Sequence, residues 1–123
     1  MLSEFSIDID YSEELPCINI KGEIDIYTCS NLRESLQSVQ EKNPGNFILD
    51  LEKVQYIDST GLGTIAHTAQ KLDETGHSII VVCTKPQIKK IFEVSGLLRK
   101  NIKLIESKEQ SKEKVEELNW VEN

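Results

Sequence analysis

No apolar run in the 123-residue chain approaches the roughly 20 residues that span a bilayer, so a membrane role is not expected. Basic residues are in deficit: 14 Lys and Arg stand against 21 Asp and Glu, for a formal net charge of −7 and a pI near 4.8. Such a surface repels a phosphate backbone, and no Lys/Arg stripe offers a local exception, so direct nucleic-acid binding is not expected. Cysteine is scarce and its number odd: Cys17, Cys29 and Cys83 match no zinc or redox spacing. Cys17 and Cys83 lie in apolar runs, where a reduced thiol packs as a small hydrophobe, and no disulfide framework is indicated. The start carries acids rather than a basic region followed by an apolar stretch, so no secretory signal is expected and the cytoplasm is the expected compartment.

What is present suits one globular domain over residues 1–123, with 38% apolar and 28% charged residues. Residues 5–10 alternate Phe5, Ile7 and Ile9 with polar neighbours, and residues 16–21 alternate around Ile18 and Ile20, which predicts a β-hairpin broken by Gly22. Thr28 or Ser30 is placed to cap a helix carrying Leu32, Leu36 and Val39 on one face. Residues 47–51 read as a compact strand, followed by a connection through Val54, Tyr56 and Ile57. A second helix starts at Ser59 or Thr60, buries Leu62, Ile65, Ala66, Ala69 and Leu72, and stops at Gly76. The β-branched run ending at Cys83 predicts a strand buried on both faces of a parallel sheet. Pro86 opens a third helix with Ile88, Ile91 and Phe92, closed by Gly96. Residues 102–105 form a last short strand, and Ser107 with Gln110 predicts a capping box for a fourth helix bearing Val115 and Leu118. The fold expected is therefore α/β: a mixed, mainly parallel sheet with an N-terminal antiparallel hairpin, packed by about four α-helices.

Chemistry-bearing residues crowd into YIDSTGLG at 56–63. Asp58, Ser59 and Thr60 fall where a strand or loop turns into a helix. Capping alone is a sufficient structural account, because a Ser or Thr hydroxyl can accept from a first-turn amide and Asp58 suits the positive end of the helix dipole. A nucleophilic Ser59 would need a base, yet His67 lies about 12 Å further along the helix at roughly 1.5 Å per residue. His77 is further still, and D-S-T-G is not the G-x-S-x-G elbow. Gly61 to Gly63 lack the lysine of a phosphate-cradling loop. Asp50, Glu52 and Asp58 are scattered acids of the solvated kind, and no metal is expected. The same geometry suits a phosphoacceptor: a hydroxyl on a rigid helix start, where added phosphate is tolerated by the helix dipole and disturbs a docked partner.

Three segments carry a family resemblance: GEID at 22–25, YIDSTGLG at 56–63 and IFEVSGL at 91–97. Together they resemble the STAS-domain anti-sigma factor antagonists, nearest the general-stress type with the sporulation type second. The resemblance implies a STAS fold and a protein that is not an enzyme. In such a partner switch the unphosphorylated antagonist binds an anti-sigma factor that is also a serine kinase, and the sigma factor is released. The serine after the motif's aspartate, Ser59 here, is the acceptor, with Thr60 the second candidate. A serine phosphatase restores binding. Asp25, Asp58, Thr60, Gly61, Leu62 and Gly63 are the further expected partner-binding positions, and Tyr27, close after Asp25, either faces the partner or packs beneath it. No cofactor belongs to this chain, since ATP and Mg²⁺ belong to the kinase, and a monomer is expected when free. The alternative is a STAS domain serving a sensory assembly or binding a small ligand.

Overall fold

The computed structural model describes residues 4–96, 98 and 101–111. Five strands form one sheet in the order of the chain: β1 (Ser6–Asp10), β2 (Cys17–Ile24), β3 (Phe47–Ile57), β4 (Ile79–Val82) and β5 (Ile102–Ile105). The hairpin is present, with β1 antiparallel to β2 and Ile7 opposite Ile20. The remaining pairings are parallel, and each parallel step is made through a helix: α1 (Cys29–Lys42), α2 (Ser59–Asp73) and α3 (Pro86–Ser95). Sequential order with crossovers of one hand puts successive helices on the same side of a sheet. Burial agrees. Ile18, Ile20, Phe47, Leu49, Leu51, Ile79 and Val81 join Leu32, Leu36, Ile65, Ile88 and Phe92 in one core. The alternate strand residues Cys17, Ile48, Ile80, Val82 and Ile105 form a smaller cluster, with Leu15 packed against it. Phe47 and Phe92 are fully buried, and truncating a phenylalanine in such a place costs about 3–5 kcal/mol. Cys17 and Cys83 pack as small apolar side chains, and burial pushes both thiols up from their ordinary value.

Several expectations need correction. Gly22 does not end β2: the strand runs on to Ile24, with Gly22 at φ 105° and a register shift immediately after it. A side chain there would run into the carbonyl oxygen of Glu4 and sit 3.2 Å from the Phe5 Cα, so glycine is what lets the chain entering β1 pass this close. The connection expected after Leu51 is strand as well. β3 continues to Ile57, where it pairs only with β2, through Lys53, Val54, Tyr56 and Ile57. About four helices were expected, and the described residues hold three α-helices. The fourth, with Val115 and Leu118, lies outside the described residues. At the expected capping box stands a 3₁₀ turn, Lys108–Gln110, in which Ser107 makes no side-chain cap and Gln110 accepts instead from the Glu106 amide at 2.8 Å.

Among the described residues no helix is long and apolar enough to cross a membrane.

Candidate functional site

The carboxyl ends of β2 and β3 lie side by side, Ile24 in register with Ile57; β3 turns into α2 through Asp58 alone, and β2 leads into α1 through residues 25–28. The Asp58 amide donates to the Ile24 carbonyl at 3.0 Å and so binds one turn to the other. Asp58 has extended backbone angles, and its Oδ1 accepts from the Gly61 amide at 2.9 Å. Asp58 is therefore the cap of α2, where Ser59 or Thr60 was expected to be. A carboxylate one residue earlier reaches the third helical amide and adds its charge to the positive end of the helix. This reassignment frees the hydroxyls. Ser59 and Thr60 are both exposed, and neither side chain makes a hydrogen bond among the described residues.

Close packing explains how the turn is held. Gly61 is buried, and a Cβ on it would collide with Ile24 Cγ2 and lie 3.4 Å from Ile57 Cγ2. A side chain here would push α2 off the strand ends. Leu62 is half-buried against the main core. Gly63 differs: it is exposed, and nothing lies within 4 Å of the place a Cβ would take.

The facing turn, between β2 and α1, is built around Asp25. Its Oδ1 accepts from the Tyr27 amide at 2.9 Å and the Thr28 amide at 3.1 Å, an Asx turn that mimics a backbone turn. The Asp25 carbonyl accepts from the Cys29 amide at 2.9 Å. Thr28 stands at the N-cap position of α1, but its hydroxyl is not a cap. It accepts from the Asp25 amide at 2.9 Å and donates to the Glu23 carbonyl at 2.8 Å. This loop in turn touches the Ser59 turn through Cys29, whose buried Sγ lies 3.8 Å from the Thr60 carbonyl oxygen and 2.9 Å from Thr64 Oγ1. The structure thus gathers Asp25, Tyr27, Asp58, Ser59, Thr60, Gly61, Leu62 and Gly63 at one end of the sheet.

Two large side chains that sequence reasoning missed join them: Ile26, 69% exposed, and Tyr56, half-exposed at the end of β3. With Tyr27 at 87%, three of the four exposed large hydrophobic residues among the described ones belong to this end, and the fourth, Val94, lies on α3. An apolar pair directly after a strand-end Asp was the available signal for Ile26.

Among the described residues no group of three or more His, Cys, Asp or Glu is placed to hold a metal ion. Asp50 accepts from the Glu52 amide and pairs with Lys108, and Glu52 accepts from Thr84, so neither joins Asp58. His67 is exposed two turns along α2 from Ser59, and His77 bonds Thr75 beyond the far end of that helix. A cavity of about 470 Å³ lies at the opposite end of the sheet, with Leu15, Cys17 and Ile48 in its wall and Asp10, Glu13 and Glu14 around it. None of its lining residues belongs to the turn that carries Ser59.

The chain and its fold have counterparts among known proteins. The STAS domain family matches the chain over residues 6–111. An anti-sigma-B factor antagonist of Staphylococcus aureus is 31% identical over 80 residues, 65% of this chain and 74% of the relative. Among solved structures, an anti-sigma factor antagonist from Mycobacterium paratuberculosis superposes with a TM-score of 0.81 at 22% identity, over 92% of this chain and 95% of that one. The Bacillus cell fate determinant SpoIIAA in its phosphorylated form gives 0.66 at 20% identity, over 91% and 99%. At such identities the two structures speak for the fold.

Proposed function

The chain belongs to the STAS domain family, and on that premise we propose that it is an anti-sigma factor antagonist switched by phosphorylation of Ser59. The unphosphorylated protein docks on an anti-sigma factor that is also a serine kinase, and the sigma factor leaves. The kinase transfers the γ-phosphoryl group of ATP to Ser59, with Thr60 as the second candidate acceptor, and a serine phosphatase returns the protein to its binding state. The chain is itself no enzyme and acts in the cytoplasm as a positive regulator of sigma-dependent transcription. The relatives' names support the antagonist role. One observation carries the choice of acceptor: Asp58 caps α2, so the Ser59 hydroxyl stands exposed and unbonded on a rigid helix start.

Charge supplies the switch. Phosphoserine brings about −1.5 to −2 charges to a spot directly after Asp58, on a turn bonded to the end of β2. The helix N-terminus accommodates that charge and no packed side chain is displaced, so the fold persists. A kinase that delivers phosphate to Ser59 must hold its nucleotide within reach of it. After transfer, the new phosphate faces the remaining nucleotide phosphates inside a drying interface, where unpaired like charges are costly.

A pull-down of the anti-sigma factor with and without ATP, followed by phosphosite mapping, tests this reading. Ser59→Ala is expected to bind and to resist phosphorylation, and native mass measurement is expected to find a free monomer. Phosphate appearing on Ser59→Ala at the wild-type rate would move the acceptor elsewhere. A large self-assembly would favour a sensory-complex subunit instead.

A further inference from the structure

Two large apolar side chains, Ile26 and Tyr27, stand next to each other in water on a loop that cannot easily fold them away. Single exposed apolar residues are ordinary, but adjacent ones on a fixed loop call for an explanation. The loop's fixity is visible bond by bond. Asp25 Oδ1 takes the Tyr27 and Thr28 amides, the Asp25 carbonyl takes the Cys29 amide, and the Thr28 hydroxyl closes the turn between the Asp25 amide and the Glu23 carbonyl. The main chain on both sides of Ile26 and Tyr27 is thereby pinned, and their side chains are 69% and 87% exposed. The loop also sits beside the acceptor. Ile24, just before it, accepts from the Asp58 amide, and Cys29, just after it, touches Thr60.

Resting on the function proposed above, we infer that Ile26 and Tyr27 are the affinity anchor of the antagonist, inserting into an apolar pocket of the anti-sigma factor that basic side chains rim. Ser59 acts as the gate and the loop as the grip. A main chain held in position before binding loses little conformational freedom on docking, which helps a small patch dominate an interface. Charge selects the occupant. The patch is flanked by the carboxylates of Asp25 and Asp58 on a chain of net charge −7, so a second copy would bring like charge to the same place, whereas a basic rim complements it. In this division of labour Asp25 holds the grip in shape from within the loop, and its Oδ1 is already committed there.

The test compares four full-length proteins for binding to the purified anti-sigma factor of the source organism: wild type, Tyr27→Ala, the Ile26→Ser/Tyr27→Ala double variant, and Val94→Ser as an exposed-apolar control on α3. The double variant is expected to bind at least about tenfold more weakly, with a melting temperature within about 2 °C of wild type, because neither side chain is packed in the free protein. Its deficit is expected to persist at high salt, which an apolar contact survives and a charge contact does not. Val94→Ser is expected to match wild type. A double variant binding within about tenfold of wild type overturns the anchor while leaving the switch intact. A wild-type dimer that the double variant abolishes also overturns it, since the occupant is then a second copy. Failure of the wild type to bind at all overturns the functional reading and the anchor with it.

Discussion

Gly61 and Gly63 stand one residue apart on α2, yet an added methyl group would meet different things at each. At Gly61 it would enter the space of Ile24 and touch Ile57; at Gly63 it would meet nothing within 4 Å. Gly61→Ala is therefore an overpacking change, worth about 1–3 kcal/mol of lost stability. Gly63→Ala removes an exposed helix-interior glycine and is expected to gain about 1 kcal/mol. The fold has no use for Gly63 that an alanine would not serve better. Gly63 lies one helical turn from Ser59 on the same face, so under the proposed function its bareness leaves room for a partner over Ser59. Gly63→Ala is expected to melt higher than wild type, by about 3–6 °C, and to bind the anti-sigma factor more weakly. Thermal denaturation paired with titration calorimetry checks both signs, and unchanged binding would remove Gly63 from the docking surface.

Among the elements, α2 carries the decisive local chemistry. Its cap is Asp58, and Ser59 contributes no side-chain bond to it. Asp58→Ala is expected to cost about 1 kcal/mol, seen as a melting temperature lower by about 3–6 °C. Ser59→Ala is expected to shift it by less than about 1 °C, since the hydroxyl it removes is unbonded. Equal losses from the two variants would return Ser59 to a capping role. The sequence made the parallel strands and the helices legible because Ile18 and Ile20, Phe47 to Leu51, and Leu32, Leu36 and Val39 keep the periods of buried strands and a half-buried helix. It hid the far half of β3. Beyond Asp50 that strand pairs only with β2, so Glu52, Lys53 and Gln55 interrupt the apolar pattern as a half-wet strand permits. Gly22 misled for a related reason: in sequence a glycine reads as a breaker, and only the passage of the Glu4 carbonyl reveals a strand that needs one. The strand-to-helix turn at Asp58 and Ser59 could be read from the order of its hydroxyls and glycines. The work of Asp25 could not, because an Asx turn is a matter of which amide the carboxylate meets.

For the molecule as a whole, the turn that carries Ser59 is seated on the core through Gly61 and Leu62, while the Ser59 side chain itself stands clear of it. The core rests on the sheet face beneath three helices, while Ser59, Thr60, Ile26 and Tyr27 stand at the sheet's end, outside it. A charge can therefore arrive at Ser59 without any buried group moving, and what changes is the surface offered to a partner. The net charge of −7 adds a long-range pull toward a basic surface, which salt weakens. The central claim is that phosphate at Ser59 ends binding and spares the fold. Titration calorimetry of the purified anti-sigma factor against the Ser59-phosphorylated and unphosphorylated forms, with thermal denaturation of both, tests it most directly. The phosphorylated form is expected to bind about a hundredfold more weakly or worse, the loss of roughly 3 kcal/mol that a desolvated, unpaired charge imposes, and to melt within about 3 °C of the other. Equal affinities for the two forms, or a phosphorylated form that no longer folds, would contradict the account.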